Sequence, residues 1–262
     1  MELNLKGKTA VILASSKGIG KACAVELARE GCNVAICSRS KSDIDAVQKE
    51  ILMFNRKVFS GVCDVTNRED MMNFMKSVRS ELGKVNILVN NCGGPAGGSF
   101  HQIKREDWDD AFKKCLMQVV DWTYEVVPEM VQNKWGRILN IVSTSVRQPI
   151  DGLLLSNSIR PGVIGFTKSV SKELAPNGVT FNSILPGSIL TDRQTELAMK
   201  KAQQTGESID RILEKKIAEI PMKRYGRPEE IGYLAAFLCS DLAAYITGAS
   251  FQVDGGLLKS TP

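Results

Sequence analysis

Seven short runs rich in β-branched and aliphatic residues alternate with helical patterns from one end of the chain to the other. They are Thr9 to Leu13, Asn33 to Cys37, Val58 to Cys63, Ile87 to Asn90, Arg137 to Val142, Thr180 to Leu185 and Ser250 to Val253. Runs this short and this apolar look like strands buried on both faces. The stretches between them are mostly about 20 residues or longer with apolar positions at helical spacing, so right-handed crossovers between parallel strands are the economical connection. The expectation is an α/β fold, a Rossmann-type doubly wound parallel sheet of about seven strands. No composition break divides the 262 residues, which predicts one domain over 1–262.

Composition narrows the function classes. Met1 to Lys8 is polar and leads straight into the first strand run, so no secretion signal is expected. No stretch approaches the roughly 18 uninterrupted apolar residues of a bilayer span, which argues against a membrane protein. The cysteines (23, 32, 37, 63, 92, 115 and 239) are odd in number, contain no Cys-x-x-Cys pair and have one histidine, His101, beside them. A reducing cytoplasm and no metal site follow as expectations. The net charge of +5 is spread along the chain. It suits an anionic cofactor or acyl carrier, or serves solubility alone; no nucleic-acid partner is expected.

Two helical stretches carry wide apolar stripes. One runs from about Glu106 to Gln132 and the other from about Ser158 to Leu174. Such width fits either thick core helices or an edge packed on a second subunit. Between residues 190 and 224 an insertion places Ile209, Ile212, Leu213, Ile217 and Ile220 on one stripe of a helix. A short helical substrate lid is the expectation, with a structural flap or oligomer contact as the alternative.

After the first strand run comes Ala14-Ser15-Ser16-Lys17-Gly18-Ile19-Gly20, opening a helical run through Glu30. Glycines at a strand-to-helix turn let backbone N–H groups approach a pyrophosphate at the positive end of the helix. Taken alone, a plain structural turn reads the same way.

Further stretches make the pattern specific. Asn90-Asn91-Cys92-Gly93, Cys63-Asp64-Val65, Gly136-Arg137-Ile138-Leu139-Asn140-Ile141-Val142-Ser143, Pro186-Gly187-Ser188-Ile189-Leu190-Thr191, Arg224 to Glu230 and Tyr245 to Gly256 together resemble the short-chain dehydrogenase/reductase family over residues 5 to 257. Its 3-oxoacyl carrier-protein reductases are closest in pattern. The resemblance implies an oxidoreductase that interconverts a carbonyl and an alcohol, with a small-molecule or acyl-thioester substrate and a homodimer or homotetramer as the assembly. It also implies dinucleotide binding by Ser15, Ser16, Lys17, Gly18, Ile19, Gly20, Asp64, Val65, Asn91, Gly93, Pro186, Gly187, Ile189 and Thr191. One departure is Ala14, where the family has the first glycine of the turn; its extra methyl is expected to weaken binding without destroying the turn. After the second strand run, Ile36-Cys37-Ser38-Arg39 offers no carboxylate for a ribose 2'-hydroxyl. Ser38, Arg39 and Lys17 suit a 2'-phosphate instead, so NADP(H) is expected over NAD(H). Two solvated basic residues on a surface turn would look identical.

The catalytic positions depart further. Ser143 stands where the family's serine polarises the substrate oxygen. Thirteen residues on, the family's tyrosine position holds Ser156, its lysine position holds Arg160, and its asparagine position holds Cys115. Serine is shorter and far less acidic than a phenol of pKa ~10, so Ser156 would need a bridging water. Arginine, with a pKa above ~12, can hold ribose and negative charge but is a poor acid, which makes Arg160 a stabiliser. The expected catalytic set is Ser143, Ser156 and Arg160. Pro161 opens a second reading: if the helix begins near 156 to 158, Ser156 serves only as its N-cap. Cys115 is expected in the core, and His101 at the surface more readily than as a proton donor. The alternative function is a cofactor-binding protein of the same fold, a sensor or assembly partner with little or no reductase activity.

Overall fold

A computed structural model describes residues 2–260. Its elements run β1 (Thr9–Ile12), α1 (Gly18–Arg29), β2 (Asn33–Ser38), α2 (Lys41–Leu52), β3 (Val58–Val62), α3 (Arg68–Leu82), β4 (Ile87–Asn90), α4 (Arg105–Phe112) and α5 (Gln118–Gln132). They continue through β5 (Gly136–Ile141), α6 (Leu154–Ile159), α7 (Pro161–Leu174), β6 (Val179–Pro186), α8 (Asp192–Thr205), α9 (Ile209–Glu219), α10 (Pro228–Leu238) and β7 (Ser250–Val253). The strands form one sheet in the order β3-β2-β1-β4-β5-β6-β7, and every pairing is parallel. The expected strand runs all pair, with boundaries shifted by no more than a residue. β1, β4, β5 and β6 are buried throughout, whereas the edge strands β3 and β7 are partly exposed.

Helices cover both faces. Cys23 and Leu27 of α1, Ile44 and Val47 of α2, and Ile231 and Ala235 of α10 pack on one side. Met71, Phe74 and Val78 of α3, Trp122 and Val126 of α5, and Leu174 of α7 pack on the other. Helix α10 packs closely on α1. A Cβ at Gly232 would stand 2.8 Å from the Ala22 carbonyl oxygen, so only glycine lets these backbones approach.

Local chemistry explains where the elements differ from expectation. The first wide stripe is interrupted by a π turn at Lys113–Met117 that separates α4 from α5 and carries Cys115. The second begins earlier than expected, at Leu154, and breaks at Arg160 because Pro161 has no N–H for the Asn157 carbonyl. Pro161 instead takes the first position of α7, which its fixed φ favours. Ser156 therefore lies inside α6, and the N-cap reading of it is corrected. The insertion contains two helices where one was expected. Gly206 ends α8 at φ 73°, and the Ser208 hydroxyl caps α9 by accepting from the Arg211 N–H. No helix among the described residues is long and apolar enough to cross a membrane.

Candidate active site

Strand order reverses between β1 and β4, and in open α/β sheets ligands bind outside the carboxyl ends of the strands at that point. A cleft of about 1690 Å³ opens there. A site for one small molecule is typically about 300–1,000 Å³, so this one has room for a dinucleotide and a second ligand together.

One end is made of backbone. The α1 N-terminus has no side-chain cap, which leaves its first N–H groups free to face an anion. Ala14, Ser16, Lys17, Gly18 and Ile19 line the cleft around it. Gly18 has φ 57° and meets Thr191 across the opening. Gly20 lies behind the turn: a Cβ there would be 2.5 Å from the Ala14 oxygen and 2.6 Å from Asn91 Nδ2. Asn91 in turn donates to the Leu13 and Ala14 carbonyls at 3.2 and 3.1 Å, tying the β4 end to the turn. Ala14 adopts φ 46°, the left-handed conformation that glycine takes without strain. The turn has kept its shape against its own residue.

Two expected binding residues are corrected here. Ser15 is fully buried, its hydroxyl donating to the Ile12 oxygen at 2.9 Å and accepting from the Cys37 N–H at 3.2 Å, so it holds β1 to β2 instead of facing the cleft. Gly20 is a packing residue of the turn rather than a lining one. Ser38, Arg39, Asp64, Val65, Asn91, Gly93, Pro186, Gly187, Ile189 and Thr191 do line the cleft. Ser38 donates to the Ser40 oxygen, and exposed Arg39 follows it at the end of β2. Lys17 lies 3.7 Å from Asp43 and 3.8 Å from Asp192, a contact that spans the cleft mouth to the start of α8. Burial raises the Asp64 carboxyl, but hydrogen bonds from the Thr66 N–H and hydroxyl outweigh it and hold the group below the usual carboxylate range.

The other end is made of side chains. Ser143 follows β5, lines the cleft, and accepts from the Ser145 N–H at 3.1 Å, which leaves its own hydroxyl hydrogen to donate. Ser145 Oγ lies 3.0 Å from Ser156 Oγ, both buried, so a chain of three serines joins β5 to α6. Ser145 was missed by the sequence reading, because a hydroxyl two residues past a strand carries no signal of its own. Arg160 is buried and donates to the Val142 oxygen at 2.9 Å, with its guanidinium on the cleft floor. The loop after β4 bridges Gly98 to Leu153, and Arg193 of α8 donates to the Pro95 oxygen at 2.9 Å. At this end Leu153 lines the cleft, while Leu155 is buried with Ala111 and Cys115. Residues of α8 and α9, among them Leu197, Lys201, Ile212 and Leu213, form the outer wall. His101 is exposed, edge-on against Phe100 and outside the cleft.

A cradle that a Cβ would fill, an uncapped helix N-terminus and a basic residue at the β2 end together fit a phosphorylated dinucleotide. A family model described as enoyl-(acyl carrier protein) reductase matches residues 13–258. The chain belongs to the short-chain dehydrogenase/reductase family. It is 33% identical to the 3-oxoacyl-[acyl-carrier-protein] reductase FabG of Staphylococcus epidermidis, over 95% of this chain and 98% of that one. It is 32% identical to the NADPH-dependent reductase BacG of Bacillus subtilis, over 97% and 98%. The structure of L-sorbose reductase from Gluconobacter frateurii with NADPH and L-sorbose superposes with a TM-score of 0.94 over the full length of both chains, at 30% identity.

Proposed function

We propose that the chain is an NADP(H)-dependent reductase that interconverts a carbonyl and an alcohol on a 3-oxoacyl thioester or a small ketone. The observation that carries this is one cleft with a phosphate cradle at one end and Ser143, donor hydrogen free, at the other. Bound NADPH would supply the hydride. Ser143 donates to the substrate oxygen and stabilises the charge that develops there. Ser145 holds Ser143 through its N–H and Ser156 through its hydroxyl, and a water on Ser156 delivers the proton that a phenol supplies elsewhere in the family. Arg160, anchored by Val142, holds ribose hydroxyls and negative charge through its guanidinium. Helices α8 and α9 act as the lid, one domain carries the whole site, and the protein works in the cytoplasm as a homodimer or homotetramer. The exposed Phe112 and Tyr124 on α4 and α5 support that assembly, which light scattering measures.

The test is NADPH oxidation with a panel of oxoacyl thioesters and ketoses, comparing wild type with Ser143→Ala. Equal turnover refutes the mechanism. One observation favours the second reading, a cofactor-binding protein with little activity: the Ser156 hydroxyl is already engaged by Ser145 and is 5% exposed. Tight NADPH binding with no turnover, and activity gained in Ser156→Tyr with Arg160→Lys, would establish that reading.

A further inference from the structure

The reductase reading leaves a pair of thiols unused beneath the catalytic end of the cleft. Cys92 follows Asn91 at the end of β4, is half-buried, and lines the main cleft. It also lines a second, much smaller cavity together with Cys115, Arg160 and Gln118. That cavity is about 10 Å³, the room of a single water. Gln118 is 1% exposed; its Nε2 donates to Asn90 Oδ1 at 3.3 Å, while its buried Oε1 has no protein partner. An unpaired buried acceptor is costly, so a polar occupant is expected there. Cys115 reaches the cavity from the π turn, an irregularity that tends to mark functional positions.

The charges around the pair separate the two thiols. For Cys92 the hydrogen bond from Cys115 and the positive charges of Arg160 and Lys114 outweigh burial and bring it down to about 6, while the same hydrogen bond and burial push Cys115 up. Burial sends Cys23 the other way, up to about 12, and raises Cys239 as well. Of these thiols Cys92 alone is held below the ordinary thiol range, and it is the one that opens onto the cleft.

We propose that Cys92 and Cys115 form a reversible oxidation site for hydroperoxides, with Cys92 as the attacking thiolate and Cys115 as the resolving thiol. The Cys92 sulfur takes the terminal oxygen of the hydroperoxide as the O–O bond breaks. The leaving alkoxide, or hydroxide from hydrogen peroxide, takes up a proton. Cys115 then attacks the sulfenic sulfur, the S–S bond forms, and the S–O bond breaks to release water with the thiol proton. Two thiols lose two electrons and the hydroperoxide gains them. The bond would pull the β4 end toward the π turn. Since Asn91 holds the Leu13 and Ala14 carbonyls, that shift reaches the phosphate turn and weakens dinucleotide binding. This last consequence rests on the proposed cofactor; the thiol chemistry does not.

The full-length reduced protein is exposed to stoichiometric hydrogen peroxide, blocked with N-ethylmaleimide and digested without reductant. A Cys92–Cys115 cross-linked peptide, reversed by dithiothreitol, is expected. In Cys115→Ser the same treatment leaves a dimedone-reactive sulfenic acid at Cys92. Iodoacetamide at pH 6.5 should alkylate Cys92 at least about tenfold faster than Cys23 or Cys239. Absence of the cross-link in wild type, or alkylation of Cys92 no faster than of the buried cysteines, overturns the proposal. These readouts need no coenzyme, so their failure is distinct from failure of the reductase reading. Calorimetry with NADPH on oxidised protein then tests the coupling: a Kd raised about tenfold supports it, and an unchanged Kd overturns it.

Discussion

The two ends of the cleft are built from different materials. The phosphate end is backbone: a turn, a helix N-terminus and the carbonyls that Asn91 holds in place. The carbonyl end is side chains: three serine hydroxyls and one guanidinium. A backbone site tolerates substitution as long as its dihedrals survive, and Ala14 at φ 46° shows it doing so. A side-chain site has no such reserve, since a changed residue changes the pKa and reach of the acting group. The altered residues within the site should therefore cost little at one end and much at the other.

The largest test falls on the carbonyl end. Removing a single donor to a developing oxyanion typically costs about 10²–10³ in rate, so Ser143→Ala should lower kcat by about that factor while leaving the NADPH Kd within about twofold. Calorimetry beside steady-state kinetics separates the two effects. A Kd that rises as kcat falls would erase the distinction between the ends. Next comes Gly20→Ala at the phosphate end, where the new Cβ meets the Ala14 oxygen and Asn91. Overpacking against backbone costs about 1–3 kcal/mol, which should appear as NADPH binding weakened about tenfold or more together with a lower Tm.

The same division decides what could be read from the chain. The sheet was legible because strands buried on both faces are written as unbroken aliphatic runs, and the phosphate turn because its glycines stand where side chains cannot fit. What stayed hidden depends on contacts between segments far apart. Ser15 reads as a turn residue facing a ligand, yet its hydroxyl is consumed by Ile12 and Cys37. Ser156 reads as a cap because Pro161 follows, yet the chain makes one extra turn of helix before the proline breaks it. The Ser145–Ser156 and Cys92–Cys115 pairs join segments more than ten residues apart, and periodicity carries no trace of either.

Charge at the second strand gives a smaller effect. Arg39→Ala should weaken NADPH about tenfold and leave NADH within about twofold, because an exposed arginine contributes one screened, charge-assisted contact to a 2'-phosphate. Equal losses for both coenzymes would mean that Arg39 supports the fold of the turn and does not recognise the phosphate.

The smallest effect is also the most discriminating for the backbone end. A left-handed alanine costs roughly 1–2 kcal/mol, and glycine returns part of that through greater freedom in the unfolded chain, about 0.4–1 kcal/mol. Ala14→Gly should therefore raise stability by about 0.5–1 kcal/mol, a Tm gain of about 2 °C in a chain of this size. NADPH should bind up to about threefold tighter, as one methyl leaves the cradle. If Tm falls instead, the turn relies on packing of the alanine methyl, and the view that its shape is held by Asn91 and Gly20 alone fails.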